Sequence, residues 1–189
     1  MRRRTKALLA VAVVLGGLVL LTLLTSTLYR IPSPAMELTF HCARPQPGCE
    51  GDKMDRIIVS RVWYRLRDPA PGDVVAFRAP EPAAVACGGL PGERPVFIKR
   101  IIAGPGDRWR EQSGFIHVNG ERLDEPYVDP LRRDQETIPE KTVPNGEYLL
   151  LGDNRSMSCD SRRWGTVPRG NLIGPVFAVY WPLGRIGFR

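Results

Sequence analysis

The sequence predicts a mainly β, antiparallel domain carried behind one N-terminal transmembrane helix. Three observations carry this. Glycine (19) and proline (18) are spread along the 189 residues without a repeat, punctuation that suits short strands and turns better than long helices. The runs between those turns are short, β-branched and aromatic, and no helical segments alternate with them, which favours antiparallel pairing over βαβ units. The start of the chain holds one long apolar run without a charge, of the length a bilayer requires.

Composition sets the class. With 43% hydrophobic and 25% charged residues, the chain is neither disordered nor a multi-span membrane protein. Beyond the anchor about 150 residues remain, enough for one core of ordinary size. The net charge of +7 invites a nucleic-acid reading, but Arg2, Arg3, Arg4 and Lys6 stand at the very start, far ahead of the first acid, Glu37. Without those four, 23 basic residues meet 20 acidic ones. The surplus is a terminal tag, so nucleic acid is not an expected partner.

Residues 1–6 are then a basic cytoplasmic tail and residues 7–28 the anchor. The stretch 7–24 is uncharged, and with 25–29 it reaches the roughly 20 residues that span the hydrocarbon. A cleavable signal peptide has a shorter apolar stretch ending in a small-x-small site. Here Thr25, Ser26 and Thr27 run into Tyr29 and Arg30 without an Ala-x-Ala, so the anchor is read as retained. Basic residues stay inside, which places residues 29–189 outside the plasma membrane of a single-pass protein, with Tyr29 at the outer interface and membrane lipid as a partner.

That compartment favours disulfides among Cys42, Cys49, Cys87 and Cys159. Cys42 and Cys49 bracket a turn-forming stretch that suits a small closed loop. Cys87 with Cys159 would follow by elimination, although four cysteines allow three connectivities. A metal site at His41, Cys42 and Cys49 lacks the paired short spacings of a zinc site, and no metal is expected.

Strands are expected at residues 56–62 and at 74–77, the latter after the turn Pro71-Gly72-Asp73. Residues 79–94, rich in proline, glycine and alanine, read as a loop insertion. A third strand covers 96–102. The runs 115–118 and 121–123 flank Asn119-Gly120, the strongest two-residue hairpin signal. Residues 129–141 read as a polar surface excursion, and 147–151 and 176–181 as two further strands. Trp63, Tyr64, Phe177 and Trp181 either fill the core or form a surface that dips into lipid.

Lys99 interrupts the apolar strand 96–102, on the face that alternation gives to Phe97 and Ile101. A lysine there is costly unless exposed or functional. Buried, its amine would lose proton affinity and approach the range useful to a general base, and a serine–lysine pair is one variant of the serine nucleophile with its base.

Four segments in order resemble the bacterial type I signal peptidases (leader peptidases). They are the anchor with Ile31-Pro32-Ser33-Pro34-Ala35-Met36-Glu37-Leu38-Thr39-Phe40, then Gly72-Asp73-Val74-Val75-Ala76-Phe77. The third runs from Phe97-Ile98-Lys99-Arg100 to Gly106-Asp107, and the last from Gly152-Asp153-Asn154-Arg155-Ser156 through Ser158-Cys159-Asp160-Ser161-Arg162 to Trp164-Gly165. The resemblance covers nearly the whole chain.

It implies an antiparallel β catalytic domain that removes Ala-x-Ala signal peptides from exported preproteins, bound in extended form along a strand edge, with no cofactor. A serine hydroxyl attacks and a neutral lysine is its base. By position Lys99 is that lysine, Ser158 orients it, and Asp160 with Arg162 is a supporting ion pair. Asp153 and Asn154 shape the loop, with plain turn architecture as the alternative. Met36 falls among the substrate-binding positions, and Ser33 matches an oxyanion-stabilising position.

One departure matters. The family pattern places serine at 35, proline at 38 and leucine at 40, where this chain has Ala35, Leu38 and Phe40. Alanine has no oxygen with which to attack. Three readings follow: Ser33 substitutes as nucleophile, the chain is a silent relative that binds signal peptides, or this copy carries a serine-to-alanine change. In an extended strand residues 33 and 35 share a face roughly 6–7 Å apart, whereas a base must lie within about 2.6–3.2 Å of its nucleophile.

Overall fold

The structure, a computed structural model, describes residues 16–17 and 25–188. The expected basic tail, and the anchor up to residue 24 apart from Gly16 and Gly17, lie outside the described residues. Among the described residues no helix is long and apolar enough to cross a membrane.

The strands in chain order are β1 (Ser26–Arg30), β2 (Arg56–Ser60), β3 (Val74–Arg78), β4 (Val96–Ala103), β5 (Arg108–Gln112) and β6 (Phe115–Val118). They continue with β7 (Glu121–Arg122), β8 (Ile138–Thr142), β9 (Glu147–Leu151), β10 (Val167–Pro168), β11 (Leu172–Trp181) and β12 (Gly187–Phe188). Three short helices accompany them: α1 (Trp63–Leu66), α2 (Glu81–Ala86) and α3 (Ser161–Trp164).

Every ladder between these strands is antiparallel. The larger sheet runs β1-β2-β11-β3-β4-β9-β10, with β12 added to β11, and the smaller runs β7-β6-β5-β8. β9 explains how the two share a core. Tyr148 and Leu150 join Phe77 and Ile101 on one face, while Leu149 and Leu151 join Trp109 and Ile116 of the smaller sheet on the other. A strand covered on both faces must be apolar at every position, and Tyr-Leu-Leu-Leu meets that demand. A further cluster gathers Met36, Phe40, Ile57, Val59 and Val179, so the segment after β1 is built into the core. At the tip of the smaller sheet Asn119 and Gly120 both have positive φ, 53° and 90°, the backbone that a two-residue hairpin between right-twisting strands demands.

Four sequence expectations change. Residues 26–28, counted as the end of the anchor, belong to β1, which pairs with β2 from Ser26↔Ser60 to Arg30↔Arg56; the free edge of β2 captures them. The 79–94 insertion is not all loop: α2 forms within it and buries Ala83 and Ala84 against Phe97 and Trp164. The 129–141 excursion ends in β8, an exposed edge strand where Pro139 is tolerated because no ladder bond is needed on its outer side. Finally the four aromatics divide: Tyr64 is core, Trp63 and Phe177 are 46% and 40% exposed, and Trp181 lies under Lys53 and Arg56.

Candidate active site

The segment after β1 leaves Ser33 extended and exposed, then tightens at Pro34–Met36 into a single 3-10 turn, with Glu37 N donating to Pro34 O at 3.1 Å. Proline at the head of the turn fixes φ where no donor is required. The extended spacing expected between residues 33 and 35 therefore does not apply. Ala35 is 7% exposed and Met36 is buried in the core.

Glu37 is buried next to them. Its carboxylate accepts from Cys42 N at 2.9 Å and Glu50 N at 3.1 Å, and meets the His41 ring. This ties down the loop that Cys42 and Cys49 close as a disulfide, with Cα atoms 5.1 Å apart. Glu37, Cys42 and Cys49 do cluster, but the two sulfurs are bonded to each other, so the thiolates that a site at His41, Cys42 and Cys49 would need are tied up in the disulfide.

Lys99 projects from β4 and is 4% exposed. Its Nζ donates to Ser158 Oγ at 2.8 Å. Burial lowers its pKa from 10.5 to about 8; Asp160 and Asp153 hold it up while the Arg162 charge presses it further down.

Ser158 comes from the stretch that follows β9. Gly152 begins it at a point of close approach, because a Cβ there would overlap Ser158 Oγ and come 2.5 Å from the Ala35 carbonyl oxygen. Asn154 N donates to Ala35 O at 3.1 Å, and its Nδ2 to Pro34 O at 3.0 Å. Asp153 accepts from Thr39 Oγ1 at 2.5 Å and from Arg100 Nε and Nη2 at 2.9 and 2.6 Å. Asp153 and Asn154 thus brace the 34–39 segment, beyond shaping their own turn.

Asp160 accepts from Gly152 N at 3.1 Å and from Arg162 Nε and Nη2 at 2.8 and 3.0 Å. Burial alone would raise its pKa; the Arg162 hydrogen bonds and charge outweigh that and lower it. Arg162 also donates to Arg155 O at 2.8 Å, to Glu111 at 3.4 Å, and to Asp134. Arg155 is fully buried against Glu125, which Arg133 also meets at 2.9 Å. Sequence reading gave no role to Glu111, Glu125, Asp134 and Arg155, because ion pairs between segments distant in the chain leave no local pattern.

Ser33, Ala35, Met36 and Lys99 line one cleft of about 390 Å³, together with Cys87 and Cys159, which form the second disulfide with Cα atoms 5.8 Å apart. Ser158, Asp153, Asn154, Asp160 and Arg162 stand behind that wall. A buried amine of lowered proton affinity, held by a hydroxyl and open to an apolar cleft, is equipped to take a proton from a group bound there.

Residues 2–181 match the family model described as signal peptidase, peptidase S26. The chain belongs to that family. A probable signal peptidase I-2 of Synechocystis is 42% identical across 83% of this chain and 64% of its own length. A signal peptidase I of Leptolyngbya laminosa is 38% identical across 70% of this chain and 63% of its own. One from Mycobacterium tuberculosis is 34% identical across 97% and 74%. The matched part spans a little under two thirds of the first two relatives. Within this signal peptidase family member, the position without a hydroxyl, Ala35, lies on the same cleft as the buried lysine.

Proposed function

We propose that this chain is a membrane-anchored signal peptidase I that removes Ala-x-Ala signal peptides from exported preproteins, with Lys99 as general base. The observation that carries the reading is the buried, Ser158-bonded amine of Lys99 on an apolar cleft. Such a lysine costs stability, and catalysis is a reason to keep it. Residues 7–24 anchor the chain with its N-terminus in the cytoplasm, so the cleft meets preproteins as they emerge.

The attacking hydroxyl in this reading is that of Ser33, which shares the cleft with Lys99. The oxygen adds to the scissile carbonyl carbon while its proton passes to the neutral Nζ of Lys99. That proton goes on to the leaving amine as the peptide bond breaks. Water then attacks the resulting ester, giving a proton to Nζ of Lys99, which passes it to the Ser33 oxygen as the ester bond breaks and the signal peptide leaves with a free carboxyl group. Ser158 orients Lys99, Asp160 and Arg162 hold Ser158 in place, and Met36 contributes to the peptide-binding wall.

Ala35 favours a second reading, in which the chain holds signal peptides without cutting them. One experiment separates the two: cleavage of an Ala-x-Ala preprotein by the full chain in detergent, beside Ser33→Ala and Ala35→Ser. The first reading expects the natural chain to cut and Ser33→Ala to lose cleavage by several orders of magnitude. Cleavage by Ala35→Ser alone would establish the silent binder. Full activity in Lys99→Ala would overturn the base assignment in either case.

A further inference from the structure

Residues 79–95 take no part in the chemistry of Lys99, yet they end on its cleft. α2 buries Ala83 and Ala84 against Phe97 and Trp164. Gly89 N donates to Ala84 O at 2.8 Å, which turns the chain back after the helix, and Ala79 N donates to Pro95 O at 2.9 Å, which closes the neck. Cys87, the residue after α2, is bonded to Cys159, the immediate neighbour of the serine that receives the Lys99 hydrogen bond. Cys87, Cys159 and Pro95 border the same cleft as Ala35 and Lys99.

The rest of the lining includes equally firm positions. Ile31 and Met36 line the cleft and are core residues, 2% and 1% exposed. Neither these positions nor α2 can retreat without dismantling packed structure. To widen the disulfide side, α2 would have to leave Phe97 and Trp164, and the bond to Cys159 forbids that while the catalytic stretch stays in place.

We propose that the Cys87–Cys159 crosslink is a specificity-determining wall: it pins the 79–95 excursion against the peptide cleft and so restricts the bound peptide to small side chains beside Lys99. This rests on the peptide-binding reading above and is independent of which hydroxyl attacks. The insertion thus serves selection, and the disulfide fixes its position rather than merely cross-linking the fold.

The test is binding, measured by fluorescence anisotropy with the full chain in detergent. The probes are two fluorescein-labelled signal-peptide segments, one ending in Ala-x-Ala and one in Leu-x-Leu. The natural chain is expected to prefer the alanine peptide by at least about tenfold, the scale on which a pocket resolves added methylenes. In Cys87→Ala/Cys159→Ala the preference is expected to fall to about twofold, chiefly through tighter binding of the leucine peptide. An unchanged preference in a double variant with natural circular dichroism would overturn the wall. Should that variant not fold, the natural chain reduced with dithiothreitol and shown by circular dichroism to keep its fold loses the same crosslink, and an undiminished preference there would overturn the wall equally. If neither peptide binds the natural chain, the peptide-binding reading fails and takes the wall with it, a result distinct from binding with unchanged preference.

Discussion

Lys99 is held at 4% exposure between apolar strand residues, and a depressed pKa is a statement about stability as well as chemistry. The folded chain releases the Lys99 proton near pH 8, the unfolded chain near 10.5. Between those values the unfolded state holds more protons, so stability gained from Lys99 is present above about 10.5 and is lost as pH falls toward 8. At pH 7 the whole penalty is felt, on the order of 3–4 kcal/mol. Lys99→Met should therefore raise the urea midpoint at pH 7, by less than the full amount because Ser158 loses its partner, and the advantage should shrink as pH rises to 10.5. The same variant should have no cleavage activity. Equal midpoints for both proteins at pH 7 would remove the trade between stability and catalysis. This residue was legible in the sequence because a charge inside an apolar strand breaks its alternation. Ala35 was legible only through the family resemblance, since alanine carries no chemical signal of what it lacks.

β5 shows at the level of an element why other parts of the site were hidden. Its sequence, Arg-Trp-Arg-Glu-Gln, looks like a solvated charged stretch, yet Trp109 and Glu111 both face inward, 3% and 1% exposed. One oxygen of Glu111 is met by Arg162, which comes from the far end of the chain at α3, and no local period could announce that pairing. β8 was hidden by Pro139 and its charges, and α2 by the composition of a loop. The turns and the β-branched strands were plain because turn chemistry and alternation are local. β5 also makes a prediction. Burial raises the Glu111 pKa from 4.5 to about 7, against the pull of Arg162 and with help from Asp134. A raised carboxyl gives stability that is complete below 4.5 and is lost as pH rises to about 7. Glu111→Gln cannot ionise, so its urea midpoint relative to the natural chain should climb steadily from pH 5 to pH 8. The Oε2 atom that Gln would replace with an amide is buried without a partner, which adds a constant cost at every pH and leaves the slope intact. Parallel midpoint curves for the two proteins would show that Glu111 does not titrate in this range.

Across the whole molecule the two disulfides divide the work unequally. The sequence left three connectivities open, and the structure selects one local bond and one distant bond. Cys42–Cys49 spans 7 residues, whereas Cys87–Cys159 spans 72 and joins the insertion between β3 and β4 to the Ser158-bearing stretch after β9. In the chain-entropy account the shorter loop restricts the unfolded state by about 2 kcal/mol and the longer by about 4 kcal/mol. Native contacts widen that difference. The 42–49 loop is also held by Glu37, through Cys42 N and Glu50 N, and by Gly51 N donating to Cys42 O at 3.2 Å, so it keeps its shape when the sulfurs part. The link from α2 to the Ser158-bearing stretch has, besides the bond, the packing of Ala83 and Ala84 against Trp164. Cys87→Ala/Cys159→Ala should accordingly lower the melting temperature roughly twice as far as Cys42→Ala/Cys49→Ala, measured by circular dichroism at pH 7 without reductant. The larger loss falling on the Cys42 pair would mean that the short loop, with its buried Glu37, and not the bond from the insertion to the stretch after β9, holds the domain together.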